Sequence, residues 1–294
     1  MAGIHSPEAR SLKIACIQME PRVGDLEQNR ATSVRLIEEA ARNGARLVVL
    51  PELTSSGYVF NNREELMSLA EEVPGGPAVT EWIALAHRLG IHIVSGVAER
   101  EGHSLYNSAV LVGPEGLVGK YRKLHLWNNE RTYFSPGNLG VPVFDTPYGR
   151  IGVIICYDGW FPESYRLCAL QGANLVCVPT NWVPMSEQPS DREAMATVLT
   201  MAAAHSNSMF IACADRVGVE RGQEFLGQSV VIGCSGWPIT GPASRAEEEI
   251  IYADIDLSEA SAKRKLNEFN QLLTDRRGDV YGDLAGTESK RFVG

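Results

Sequence analysis

The chain has no uninterrupted apolar run near the roughly 20 residues that cross a bilayer. Residues 1–11 are polar where a secretory leader would carry an apolar core. Positive charge is in short supply, with 27 Lys and Arg against 36 Asp and Glu, a formal net charge of −9. That balance favours solubility and argues against a nucleic-acid surface. The longest basic grouping, Lys263-Arg264-Lys265, falls in a helical stretch and reads as a solvated face. The six cysteines (16, 156, 168, 177, 213 and 234) contain no C-x-x-C pair, and the six histidines form neither H-E-x-x-H nor a Cys/His cluster. A disulfide framework and a metal site are thereby disfavoured, no cofactor is expected, and a reducing cytoplasm fits best. Repeats of solenoid period and low-complexity segments are also missing.

What remains is an ordinary globular composition, 44% hydrophobic and 21% charged over 294 residues, enough to bury a large core. Strand-like and helical patterns alternate along it. Residues 12–18, 46–50, 91–97, 151–156, 174–178, 209–214, 229–232 and 250–255 read as strands, and 106–112 with 117–122 as a hairpin around Gly113-Pro114-Glu115-Gly116. Helical periodicity covers 26–42 (closed by Gly44), 78–89 (stopped at Gly90), 162–171 and 191–207, the last with Asp191 as its N-cap. Such a mixture without a linker predicts a single α/β domain of two stacked sheets flanked by helices, over residues 11–265. Residues 266–294 are polar and Gly-rich, a flexible tail or an arm that folds on another subunit.

The chemistry is concentrated at strand ends. Cys156 closes the apolar run Ile151-Gly152-Val153-Ile154-Ile155 and is followed by Tyr157-Asp158-Gly159-Trp160-Phe161-Pro162-Glu163. Asp-Gly breaks the strand and Pro162 suits the first turn of a helix, so the thiol is predicted at a sharp strand-to-helix turn where a nucleophile projects and backbone N–H groups are free. A cysteine in an apolar strand is ordinarily a small hydrophobe. Two further strand ends alter that balance by delivering Glu52 and Lys123. Each has a bland reading of its own, as a solvated loop acid and a surface base.

Taken together, Leu50-Pro51-Glu52-Leu53, Tyr121-Arg122-Lys123-Leu124-His125 and Cys156-Tyr157-Asp158, in that order and at those separations, resemble the nitrilase superfamily of carbon–nitrogen hydrolases. The likeness runs from Lys13 to about Asp256. It implies a four-layer α-β-β-α sandwich, a Glu52–Lys123–Cys156 triad, and pairing into a homodimer or higher homo-oligomer with the C-terminal segment crossing to the partner. It also implies that Glu130, shortly beyond Lys123, helps orient substrate, lysine and water; a polar surface loop would account for the same residue.

The chemistry of the groups then gives each a task. Cys156 attacks as thiolate, and Glu52 takes its proton and returns it to the departing ammonia. Partial desolvation would raise the Glu52 pKa toward neutrality, which suits that shuttle. Lys123 and the backbone N–H of Tyr157 stabilise the oxyanion. Tyr58, Trp160, Phe161, Asn181 and Trp182 are candidates for the pocket wall, each with an alternative reading in packing or turn capping. His125 is expected to be structural.

The expected activity is hydrolysis of a small amide to a carboxylic acid and ammonia through a Cys thioester. In nitrilases Trp-Glu often follows the cysteine, whereas Tyr157-Asp158 resembles the amidase-type branches. N-carbamoyl amide hydrolysis is the alternative and nitrile hydrolysis the third choice. The lack of membrane segments counts against an acyltransferase of lipoproteins, and the lack of a fused synthetase against an ammonia-supplying glutaminase domain. Outside that chemistry stand a catalytically silent binding or scaffold subunit and an unrelated protein in which Cys156 is a redox thiol.

Overall fold

A computed structural model describes residues 11–189 and 192–281. Two six-stranded sheets form its centre. The first takes the order β14 (Glu249–Asp256), β1 (Ser11–Gln18), β2 (Leu47–Val49), β3 (His92–Glu101), β4 (Ser104–Gly113), β5 (Gly116–Arg122). The second runs β13 (Pro238–Thr240), β12 (Val230–Ile232), β9 (Phe210–Ala214), β8 (Leu175–Pro179), β7 (Gly149–Val153), β6 (Val143–Thr146). In each, three parallel strands lie at the centre with antiparallel strands outside them. This is the arrangement that places the C-terminal ends of the central strands side by side.

Side-chain alternation explains the layering. Along β1, Ile14 and Cys16 face the second sheet, while Ala15 and Ile17 face outward onto helices α1 (Leu26–Arg42) and α3 (Pro77–Leu89). Helices α5 (Pro162–Leu170) and α6 (Met195–Asn207) cover the second sheet through Tyr165, Cys168, Ala169 and Ala204. The result is the four-layer α-β-β-α sandwich. Both faces of the central strands are buried, which is why they read as continuous apolar runs.

Helix α1 spans 26–42 as its periodicity predicts, and α3 stops at Gly90, whose φ of 66° gives the left-handed cap. Other boundaries differ. The strand expected to reach Cys156 ends at Val153, because Asp158 draws residues 154–158 into a tight turn instead. Helix α6 begins at Met195, not at 191; the Met195 N–H is met by Gln188 Oε1 at 3.1 Å, and the expected cap Asp191 lies outside the described residues. The short strands β6 and β13 carry too few residues to show a period. Arg264, expected on a solvated face, donates to the carbonyl of Ala173. Beyond α7 (Ser258–Lys263), Lys265 bridges Gln271 and Leu273 returns to the core, while residues 282–294 lie outside the described ones. All six cysteines are free and buried. Among the described residues, no helix is long and apolar enough to cross a membrane and no cluster of His, Cys, Asp and Glu could hold a metal ion.

Candidate active site

Glu52 follows β2 in a sharp turn, with Leu53 at a φ of 51°. Gly96 of β3 passes directly beneath, and a Cβ there would come within 2.6 Å of Glu52 Cα. Only glycine lets the two backbones approach so closely. Glu52 is also tied to the end of β8: its N–H donates to Thr180 O at 3.4 Å, and Asn181 Nδ2 donates to its carbonyl at 3.0 Å.

Lys123 leaves the end of β5 fully buried, its N–H held by Asn107 O at 2.8 Å. Its Nζ stands 2.6 Å from Glu52 Oε1 and 2.8 Å from Glu130 Oε1. Asn107, in the middle of β4, donates from Nδ2 to Glu52 Oε1 at 2.6 Å. Glu130 opens the short helix α4 (Glu130–Tyr133) and accepts from Tyr58 OH at 2.7 Å and Trp127 N–H at 3.0 Å. Three donors on the ammonium and two carboxylates taken leave one N–H of Lys123 for a ligand. Glu52 Oε2 is buried without a hydrogen-bond partner, so an acceptor stands ready.

Burial is the largest influence on Glu52 and, with Glu130 adding, lifts its carboxyl to about 7 against the pull of Lys123. Burial works against the Lys123 charge, yet Glu130 and Glu52 outweigh it and keep the ammonium protonated above the usual lysine range. Burial and then Glu52 push the Cys156 thiol well up, while Lys123, Thr180 and the Asn181 N–H favour its thiolate. The resting pair is therefore a thiol beside a carboxyl able to take its proton near neutrality.

Cys156 opens a 3-10 turn, Cys156–Trp160, with φ at 44°. A non-glycine residue there carries on the order of 1–3 kcal/mol of strain, and Asp158 holds it in place. The fully buried Asp158 carboxylate accepts from Ile155 N–H at 3.0 Å, Tyr121 OH at 2.7 Å, His125 N–H at 3.0 Å and His125 Nδ1 at 2.7 Å. One side chain thus pins the cysteine turn to the segment carrying Lys123. Tyr157 is the second residue of the turn, so its N–H belongs to the set that a helical start leaves without an intrahelical acceptor.

The fold brings Glu52, Lys123, Glu130 and Cys156 together. A narrow cleft over Cys156 is lined by Tyr157, Trp160, Asn181 and Trp182, with Trp127, Val183 and Met185. Tyr58 borders an adjoining chamber and bonds Glu130. Phe161 does not reach this cleft: it stacks on His125, centroids 3.7 Å apart, and faces a separate recess, because it is the extended residue before α5. His125 is bound to Asp158 and stays out of the cluster, as expected. Sequence reasoning missed Asn107 and the bracing role of Asp158. Asn107 left one signal, an amide in the middle of an apolar strand, which must find partners.

A match to the carbon–nitrogen hydrolase family covers residues 13–265. The chain is 42% identical over 270 residues to a protein of Pyrococcus abyssi named nitrilase, covering 92% of this chain and 99% of that one. It is 32% identical over 288 residues to an N-carbamoylputrescine amidase of Solanum lycopersicum, 92% of each chain. A solved structure, an amidase of the nitrilase superfamily from Nesterenkonia AN1, superposes with a TM-score of 0.77 at 26% identity, covering 96% of this chain and 100% of that one. Extent, identity and shared architecture agree: the chain belongs to the nitrilase superfamily and is a carbon–nitrogen hydrolase.

Proposed function

We propose that the chain is a thiol amidase that hydrolyses a small amide to a carboxylic acid and ammonia. The observation that carries this is the buried Lys123 ammonium between Glu52 and Glu130, with Glu52 Oε2 unpartnered in the same cluster as the Cys156 thiol. The Cys156 proton passes to Glu52 as sulfur adds to the amide carbon. The oxyanion is met by the spare N–H of Lys123 and the N–H of Tyr157. The tetrahedral species collapses, nitrogen takes the proton from Glu52, and ammonia leaves a thioester. Water gives a proton to Glu52 as its oxygen adds to the thioester carbon, and collapse returns the acid and the thiol.

Ammonia release from amides, N-carbamoyl amines and nitriles, run beside Cys156→Ala, tests this. Ammonia from amides that is lost in the variant is the expected result; wild-type rates in Cys156→Ala end the proposal. The tomato relative's name favours a second reading, N-carbamoyl hydrolysis, which carbon dioxide evolved alongside ammonia would promote. The Pyrococcus relative's name favours a third, nitrile hydrolysis, and turnover confined to nitriles would replace the amidase with it.

A further inference from the structure

The walls around Cys156 say what kind of acyl group fits. Trp127, Tyr157, Trp160 and Trp182 surround the cleft, with Val183 and Met185 closing it. Trp127 meets Tyr157 at 4.8 Å between centroids and 63° between planes, and Tyr157 lies 5.9 Å from Trp160. Trp127, Tyr157 and Trp160 keep part of their surface open, so apolar area remains there for a ligand to cover. Among the described residues lining this cleft, none is charged. The adjoining open recess shares Trp127 and Val183, carries the polar side chains of Asn128, Asn129 and Gln223, and has Glu130 as the charged side chain in its described lining. That carboxylate is spent on Lys123, Tyr58 and the Trp127 N–H.

A carboxylate on the acyl side would have to shed its water here for aromatic faces and face the like charge of Glu130, and a primary ammonium would have to compete with Lys123, Tyr58 and the Trp127 N–H for that same carboxylate. A flat neutral ring loses little hydration and gains offset and edge contacts with the surrounding rings. We infer that the acyl group is uncharged and aromatic, the substrate being a primary amide of the arylalkyl class, with Trp127, Tyr157, Trp160 and Trp182 setting that preference. The inference rests on the amidase reading.

Two measurements on the full chain separate the two. The first is kcat/KM for phenylacetamide, propionamide, glutamine and N-carbamoylputrescine with the wild-type protein. The second is the change in tryptophan fluorescence of Cys156→Ala on titration with phenylacetamide. The expected result is a kcat/KM for phenylacetamide at least tenfold above the other three, with a saturable fluorescence change. Trp160→Leu should shrink the ratio of phenylacetamide to propionamide. Faster turnover of glutamine, N-carbamoylputrescine or propionamide overturns the aryl inference and leaves the amidase standing. Saturable binding to Cys156→Ala with no ammonia from any amide supports the aromatic chamber and overturns the amidase. A saturable response to a quaternary ammonium amide, and none to phenylacetamide, reassigns the rings to cation–π recognition and overturns the inference.

Discussion

Burial raises the proton affinities of both Glu52 and Cys156, and the Glu52 charge adds to the rise at Cys156. With the Glu52 carboxyl near 7, turnover should rise with pH through about 7 as the base ionises, and Glu52→Gln should abolish it. The same shift affects stability. The folded protein holds the Glu52 proton to higher pH than the unfolded chain, whose carboxyl titrates near 4.5, so the native state binds more protons across that window. Stability from this residue is present below about 4.5 and is lost as pH rises through about 7. Denaturant midpoints of Glu52→Gln should therefore lack the decline that the wild type shows there. Lys123→Ala should lower kcat on the order of a hundredfold or more, from the lost oxyanion donor; a change in KM alone would mean that Lys123 merely binds substrate. Asp158→Ala should cost roughly 3 kcal/mol or more, since it strands buried donors from two segments, and calorimetry would reveal it.

At the scale of elements, the site depends on how closely strand ends approach one another. Gly96→Ala adds one methyl to β3 where it would meet the Glu52 backbone, so a Cys156-competent fold should survive only with Glu52 displaced. The measurement is kcat beside the circular dichroism spectrum, with activity lost well before structure. The segment carrying Tyr58 is held from a distant part of the chain. The Glu220 carboxylate, at the end of strand β10 (Val219–Glu220), accepts from the N–H groups of Val23, Tyr58 and Val59 at 2.8, 2.8 and 2.6 Å. Arg216 pairs with it at 3.2 Å. Glu220→Ala should free the Tyr58 segment and raise KM more than it lowers kcat, because Tyr58 reaches the chemistry only through Glu130. Equal losses in both would place Glu220 closer to the reaction than its contacts allow.

For the whole molecule, the sandwich converts two apolar sheets into a rigid frame whose strand ends carry the reacting groups, leaving loops to shape the cleft. The burial of the inner layers does not extend to the outer helices, where Leu167, Leu170, Met195 and Val198 on α5 and α6 remain exposed. Pairing of two chains accords with that face. Sedimentation equilibrium should return at least twice 32.1 kDa, and a monomer at micromolar concentration would overturn the expected homo-oligomer.

How much was legible follows from what each feature depends on. The two sheets, the central strands and the strand-end turn at Cys156 could be read from the chain because apolar periodicity and turn residues are local signals, whereas Glu52 and Lys123 stood out through the resemblance that the three motifs carry together. The short strands β6 and β13, the start of α6 and the end of the strand before Cys156 could not, since they are set by contacts such as Gln188 with Met195 and Asp158 with Ile155. Asn107 and Asp158 acquire their roles only when segments far apart in sequence converge. Phe161 shows the same limit in reverse, a neighbour of the nucleophile in sequence whose backbone turns it toward His125. The sequence by itself determined which groups could do chemistry, because reactivity belongs to residue type and local turn. The tertiary structure alone decided which of them share a proton, which carboxylate oxygen stays free and what lines the cleft, because those are matters of distance and burial.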